Sequence, residues 1–302
     1  MDKVLTSRLL KAARNRDPIA VTHLVPGPDP LRRVPRAANR QGVDGELLQQ
    51  AEQAVLRFEA LIRREAGDRS ALDAMISAWL PEVRREFELR RKQAAFKAMS
   101  HLKGSSTDVN LATCLLHPAD DGRTLDVVWL FGMFGLQRLR PGVVVKFASR
   151  LMDSPEGRRR PTTLDRQPIE DLSGIRLEEY CNPPSPPLDV HPTGTVVHYT
   201  LGGSDFGPNS AIDLVFAEAN FAEMDRYVRR DRPRKGYVFA EIGTPSKTLL
   251  FDVLVHEAVY PDSEPQLAIY DTALDGVANV NDSTRDIDRL DLLESISSLG
   301  QG

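Results

Sequence analysis

Hydrophobic periodicity changes once along this chain of 302 residues, near Lys103 and Gly104, and that change limits the folds open to it. Before it, apolar residues recur at steps of three and four, which lays them along one side of a helix. After it, short β-type runs are separated by Gly, Pro and Asp. Helices that precede the strands, rather than alternating with them, predict an α+β fold: a helical N-terminal region followed by a mainly antiparallel, β-rich, sandwich-like domain. The expected divisions are residues 1–45, an N-terminal helix and Pro-rich arm; 46–103, a basic helical region; and 104–302, an acidic β-rich domain.

Within the helical region, residues 1–16 place Val4, Leu5, Leu9, Leu10 and Ala13 on one side, and Pro18 ends the pattern. The run VPGPDPLRRVPRAANR (25–40) has four prolines, which fix φ and remove amide donors, so it reads as a linker or extended arm. Leu48, Ala51, Val55, Phe58 and Ile62 then mark an amphipathic helix over 46–66, with Asp44 as its N-cap and Gly67 as its left-handed terminator. Asp68 or Ser70 opens a shorter helix through Leu72, Met75, Ile76 and Trp79. Pro81 suits the first turn of a third helix to about Leu102.

The strands expected after Gly104 are 109–116, 126–131, 143–149, 195–201, 211–216, 237–242, 248–257 and 266–270. Residues 237–257 read as a hairpin through Gly-Thr-Pro-Ser, placed in the core sheet. In WLFGMFGLQRL, Gly132 and Gly135 weaken a helix and suggest a bulge or a close backbone approach. The five prolines of CNPPSPPLDVHP exclude regular helix and central strand, and RDIDRLDLLESIS permits a short helix.

Charge follows the same division. Residues 1–103 hold 20 Lys/Arg against 13 Asp/Glu, or +7; the remainder holds 19 against 30, or −11. Attraction between the two parts is the plain explanation, and a nucleic-acid or acidic-protein partner the sharper one. No uninterrupted apolar stretch is long enough to span a membrane. Cys114 and Cys181 belong to no CxxC or Cys/His cluster, which fits a reducing, cytoplasmic compartment and needs no disulfide framework. A chain of this length buries a core without such staples.

Three chemistries can be set against the residues. The helix 81–103 carries Arg84, Arg85, Arg90, Arg91, Lys92 and Lys97, a density suited to neutralising phosphates. Glu86 with Arg90 and Glu88 with Lys92 are spaced as i,i+4 ion pairs, so an internally paired surface face is the competing reading. Arg158, Arg159 and Arg160 form a second basic cluster. His198, His256 and Glu257 are ligand types of a hydrolytic metal centre, if adjacent strands bring them together; two histidines packed against polar neighbours is the alternative. LGGSDFGPNS lacks the spacing of a phosphate or dinucleotide loop and reads as a surface turn; its Asp205, Asn209 and Asp213 are ligand types for a hard cation such as calcium, at a spacing that is not that of an EF-hand. No GxSxG elbow is present.

The absence of a chemical signature, together with the long amphipathic helices, leads to one expectation. It is a non-enzymatic protein-interaction or assembly protein without a cofactor, with a protein partner or self-association through its helical region. A nucleic-acid-associated regulator using helix 81–103 and a metal-dependent hydrolase with a site in the β-rich domain are the alternatives.

Overall fold

The computed structural model describes residues 3–151, 162–169, 172–182, 186–193, 196–228, 231, 233–272 and 276–300. Two compact units divide inside one helix, Met1–Lys92 and Gln93–Gly302. Helices α1 (Lys3–Arg14), α2 (Pro18–Leu24), α3 (Pro28–Leu31), α4 (Arg33–Arg40), α5 (Gly45–Glu65) and α6 (Arg69–Ser77) lie in the first unit, and α7 (Pro81–Lys103) runs from it into the second.

Carboxylates start these helices as their spacing predicts. Asp44 accepts from the Glu46 and Leu47 amides, and Asp68 from Ala71 at 2.8 Å; each meets donors that have no intrahelical acceptor. Asp17 does the same for α2. Gly67, at φ 82°, follows α5 in the left-handed region that glycine tolerates. Val55 and Ile62 are the buried residues of α5. Arg69 ties α6 to α2, donating to the Thr22 and His23 carbonyls at 3.2 and 3.1 Å while pairing with Asp73.

The Pro-rich arm is corrected: residues 28–40 are mostly helical. Pro28, Pro30 and Pro35 all fall in first turns of α3 and α4, where amides lack acceptors anyway and a proline costs little. Leu31 and Pro35 are buried, and Arg32 pairs with Glu59 of α5, so the segment packs inward.

In the second unit, β1 (Ser105–Pro118) and β2 (Thr124–Arg138) form a long hairpin. Its turn is closed by Asp121, which accepts from the Arg123 and Thr124 amides at 2.8 Å. β6 (Ile212–Asp225) pairs antiparallel with β2, while β7 (Ser246–Val255) pairs parallel with β1, giving the order β6-β2-β1-β7. A second, antiparallel sheet has the order β3-β5-β4 from Lys146–Leu151, Val196–Leu201 and Leu188–Thr193. The architecture is therefore α+β with one mixed and one antiparallel sheet. Both contribute to one core, in which Met133, Leu136, Leu214 and Phe216 pack with Phe147, Tyr199 and Leu201.

The expected bulge is present. Pairing of β2 with β6 slips between Met133 and Leu136, with Gly135 at φ 64° between them. A Cβ on Gly132 would lie 2.3 Å from the Leu214 carbonyl oxygen, so the backbones approach more closely than any side chain allows.

Several expectations for the C-terminal part are corrected. Residues 237–242 form no strand; Asn281 meets the nearby backbone instead, accepting from the Lys235 amide at 2.7 Å and donating to its carbonyl at 3.0 Å. The hairpin 237–257 is consequently absent, because β7 is drawn to β1: the Thr107 amide donates to the Pro245 carbonyl, and a parallel ladder follows. β7 then lies at the edge of its sheet rather than inside it. Residues 266–270 supply only an isolated bridge from Tyr270 to Arg289. The tail is a 3-10 turn over Ser283–Asp288, started by Asp282, with no regular helix or strand after it through residue 300; Asp286, Asp288 and Asp291 are poor helix formers.

Candidate interaction surface

Three sheet edges show how β7 differs. On β6, the outer edge is occupied: Thr162 exchanges backbone hydrogen bonds with Ala219, Leu177 donates to Val215 at 2.9 Å, and Asn182 donates to Asp213 at 3.2 Å. On β4, Asp189, His191 and Pro192 are exposed, and charge and proline both discourage further pairing. On β7, by contrast, no strand among the described residues pairs with the outer side, so one of its two alternating sets of amide and carbonyl groups points away from β1.

The side chains of β7 are as open as its backbone. Phe251 and Val253 lie beside Ala112 and Cys114 on one face, and Leu250 and Leu254 beside Leu111 and Leu115 on the other. Leu250, Leu254 and Val255 are 45%, 46% and 47% exposed. The run TLLFDVLV is apolar in both registers because both faces of a β1 neighbour need covering, yet nothing among the described residues buries its outer half. Lys247 pairs with Asp108 at 2.5 Å, and Asp252, opposite Thr113, is the one charge within the run.

Charges of α7 are largely matched along the helix. Glu88 lies 3.2 Å from Arg84 and 3.5 Å from Lys92, and Glu86 pairs with Arg90, as the spacing predicts. Arg91 reaches Ser70 and stacks its guanidinium 4.9 Å from the Phe87 ring centre. Arg85 and Lys97 are exposed. At the C-terminal end, Arg140 donates to the His101 and Leu102 carbonyls, which have no intrahelical partner. Arg158, Arg159 and Arg160 lie outside the described residues.

The histidines take different partners from those expected. His198 is on β5, opposite His191 of β4, whose Nε2 lies 2.9 Å from the Thr200 hydroxyl. His256 follows β7 in the other sheet, and its ring meets that of His117 edge-on at 4.7 Å. Its Nδ1 accepts from the Ala258 amide, while His117 Nδ1 lies 2.7 Å from the Pro118 carbonyl and must therefore donate. Glu257 is exposed in the following turn. Among the described residues, no three His, Cys, Asp or Glu side chains converge to hold a metal ion.

Cys114 and Cys181 are buried free thiols. Burial raises the Cys114 thiol to about 12, so the thiolate required for nucleophilic chemistry is suppressed. Cys181 Sγ accepts from the Val215 amide at 3.3 Å. Among the described residues, no helix is long and apolar enough to cross a membrane.

No known protein family matches the chain, and no curated protein or solved structure does so. The open edge went unread in the sequence because an apolar strand looks the same at the centre of a sheet and at its rim. The available signal was Pro245 just before the strand, because proline in and around sheets is confined to edge strands, strand starts and bulges.

Proposed function

We propose that this is a non-enzymatic interaction or assembly protein that receives an extended partner segment along β7. One observation carries the reading: β7 combines an outer backbone edge that no strand among the described residues pairs with and the exposed side chains of Leu249, Leu250, Val253, Leu254 and Val255. Main-chain hydrogen bonds supply affinity in such strand addition, and side chains on alternating faces supply selectivity. An exposed apolar edge of this length is otherwise an aggregation hazard, and β7 lacks both the occupation seen on the β6 edge and the charge and proline seen on the β4 edge. Leu47, Leu56 and Leu61 stand exposed on α5, and self-association through the helical region belongs to the same proposal. A reducing, cytoplasmic setting suits the two free thiols.

The test is a photo-crosslinking residue at position 255 of the full-length protein in native lysate. A discrete adduct that disappears when Val253→Lys is introduced supports strand addition. Adducts that are absent, or that persist unchanged in the lysine variant, count against it.

A further inference from the structure

We infer that the occupant of the β7 edge is a second copy of the same chain, paired antiparallel about a two-fold axis at Asp252. This inference rests on the strand-addition reading and adds the partner and the register. A two-fold axis perpendicular to the sheet brings together residues of equal parity, so that side chains stay on their own faces.

Centring that axis on Asp252 opposes Phe251 to Val253, Leu250 to Leu254 and Leu249 to Val255, apolar against apolar at each position. Every one of these residues is exposed in the single chain except Phe251, which is half-buried. Just past the strand ends, Lys247 of one copy, which also pairs with its own Asp108, comes near Glu257 in the turn that follows β7 of the other, an opposite-charge approach repeated by symmetry; both are exposed. Moving the axis to Phe251 loses this match: Leu250 then faces Asp252, and Lys247 faces Val255. The result of the Asp252 register is one continuous sheet, β6-β2-β1-β7 running into its symmetry mate, with both free edges removed.

The single unfavourable contact is Asp252 against its own copy. Across β1 it faces Thr113, flanked by Leu111 and Leu115, and none of these carries a charge. Like charges directly opposite each other weaken strand pairing. The pair therefore lowers the affinity of the dimer, while the two-fold symmetry itself closes the assembly at two copies.

Light scattering on the full-length protein across a concentration series tests this with four variants. Wild type should pass from monomer to dimer as concentration rises. Val253→Lys, which sets an ammonium opposite the partner's Phe251 position, should remain monomeric; a far-UV spectrum and thermal transition like those of wild type verify that it folds. Asp252→Asn should tighten the dimer by ~3-fold. Glu257→Lys should weaken it, and the exchanged pair Lys247→Glu with Glu257→Lys, made together with Asp108→Asn so that the new carboxylate meets no like charge in its own chain, should restore it.

A wild type that stays monomeric at all concentrations overturns the dimer, while a discrete, Val253→Lys-sensitive adduct to a different protein in the crosslinking experiment would leave strand addition standing. A dimer insensitive to Val253→Lys and to charge exchange overturns the β7 register. Loss of the crosslink as well overturns both.

Discussion

Arg138, the last residue of β2, donates from one guanidinium nitrogen to the carbonyl oxygens of both Leu201 and Gly202, where β5 ends. Its Nε also donates to the Val143 carbonyl at 2.9 Å, and the side chain is buried. The four-stranded and three-stranded sheets are thus joined by one cation whose partners are all backbone. Arg138→Met should remove these bonds and leave buried carbonyls unmet, costing roughly 2–3 kcal/mol in chemical denaturation. Arg138→Lys should recover little, because an ammonium lacks the planar fork that reaches several carbonyls together.

Gly132 and Gly142 separate close approach from backbone strain. Gly132→Ala puts a methyl 2.3 Å from Leu214 O, and β2 and β6 must part to admit it; a loss of about 3 kcal/mol or more is expected. Gly142 has φ 73° but open space around it, so Gly142→Ala should cost only about 1 kcal/mol, the dihedral penalty alone. Denaturant midpoints of the two variants distinguish these cases.

Cys114 should resist alkylation by iodoacetamide in the native protein and react on unfolding. Its thiol is raised by burial to about 12 from an ordinary 9.0. The protonated form is the one the fold favours, so its contribution to stability is complete below about 9 and is lost as pH rises from there through about 12. Cys114→Ala should flatten the alkaline limb of the stability profile; an unchanged limb would refute the assignment.

His23 titrates in the opposite sense. Burial lowers its affinity for a proton, and Arg69 and Arg8 act in the same direction, against the pull of Asp73 and Glu86. The neutral ring is favoured in the fold, so its contribution is present above the ordinary value of 6.5 and is lost as pH falls through the lower native value. Between about pH 7 and about pH 5, His23→Gln should lose less stability than wild type. Equal losses in paired denaturation curves would contradict this.

Local chemistry was legible in the sequence wherever neighbours along the chain decide the outcome. Asp44, Asp68 and Gly67 mark helix ends, Glu86 with Arg90 and Glu88 with Lys92 pair one turn apart, and Gly132 and Gly135 signal an irregular strand. Pro28, Pro30 and Pro35 misled because their effect depends on position within a helix turn, which composition does not reveal. Long-range pairing was hidden for a different reason. Nothing in TLLFDVLV says whether its partner is the preceding segment or β1, and only the Thr107 to Pro245 hydrogen bond and the ladder after it decide. The same holds for His117 and His256, brought together by a parallel register that no local spacing encodes.

That register also has a consequence for synthesis. β1 and β2 can pair soon after they leave the ribosome, but the neighbour that closes the other side of β1 lies more than a hundred residues downstream. At about 5–20 residues per second, the nascent chain carries that side of β1 uncovered for several seconds or more. A ribosome stalled between β2 and β7 would therefore display a ready template for foreign strands, and nascent-chain aggregation should peak in that window and fall once Val255 has emerged.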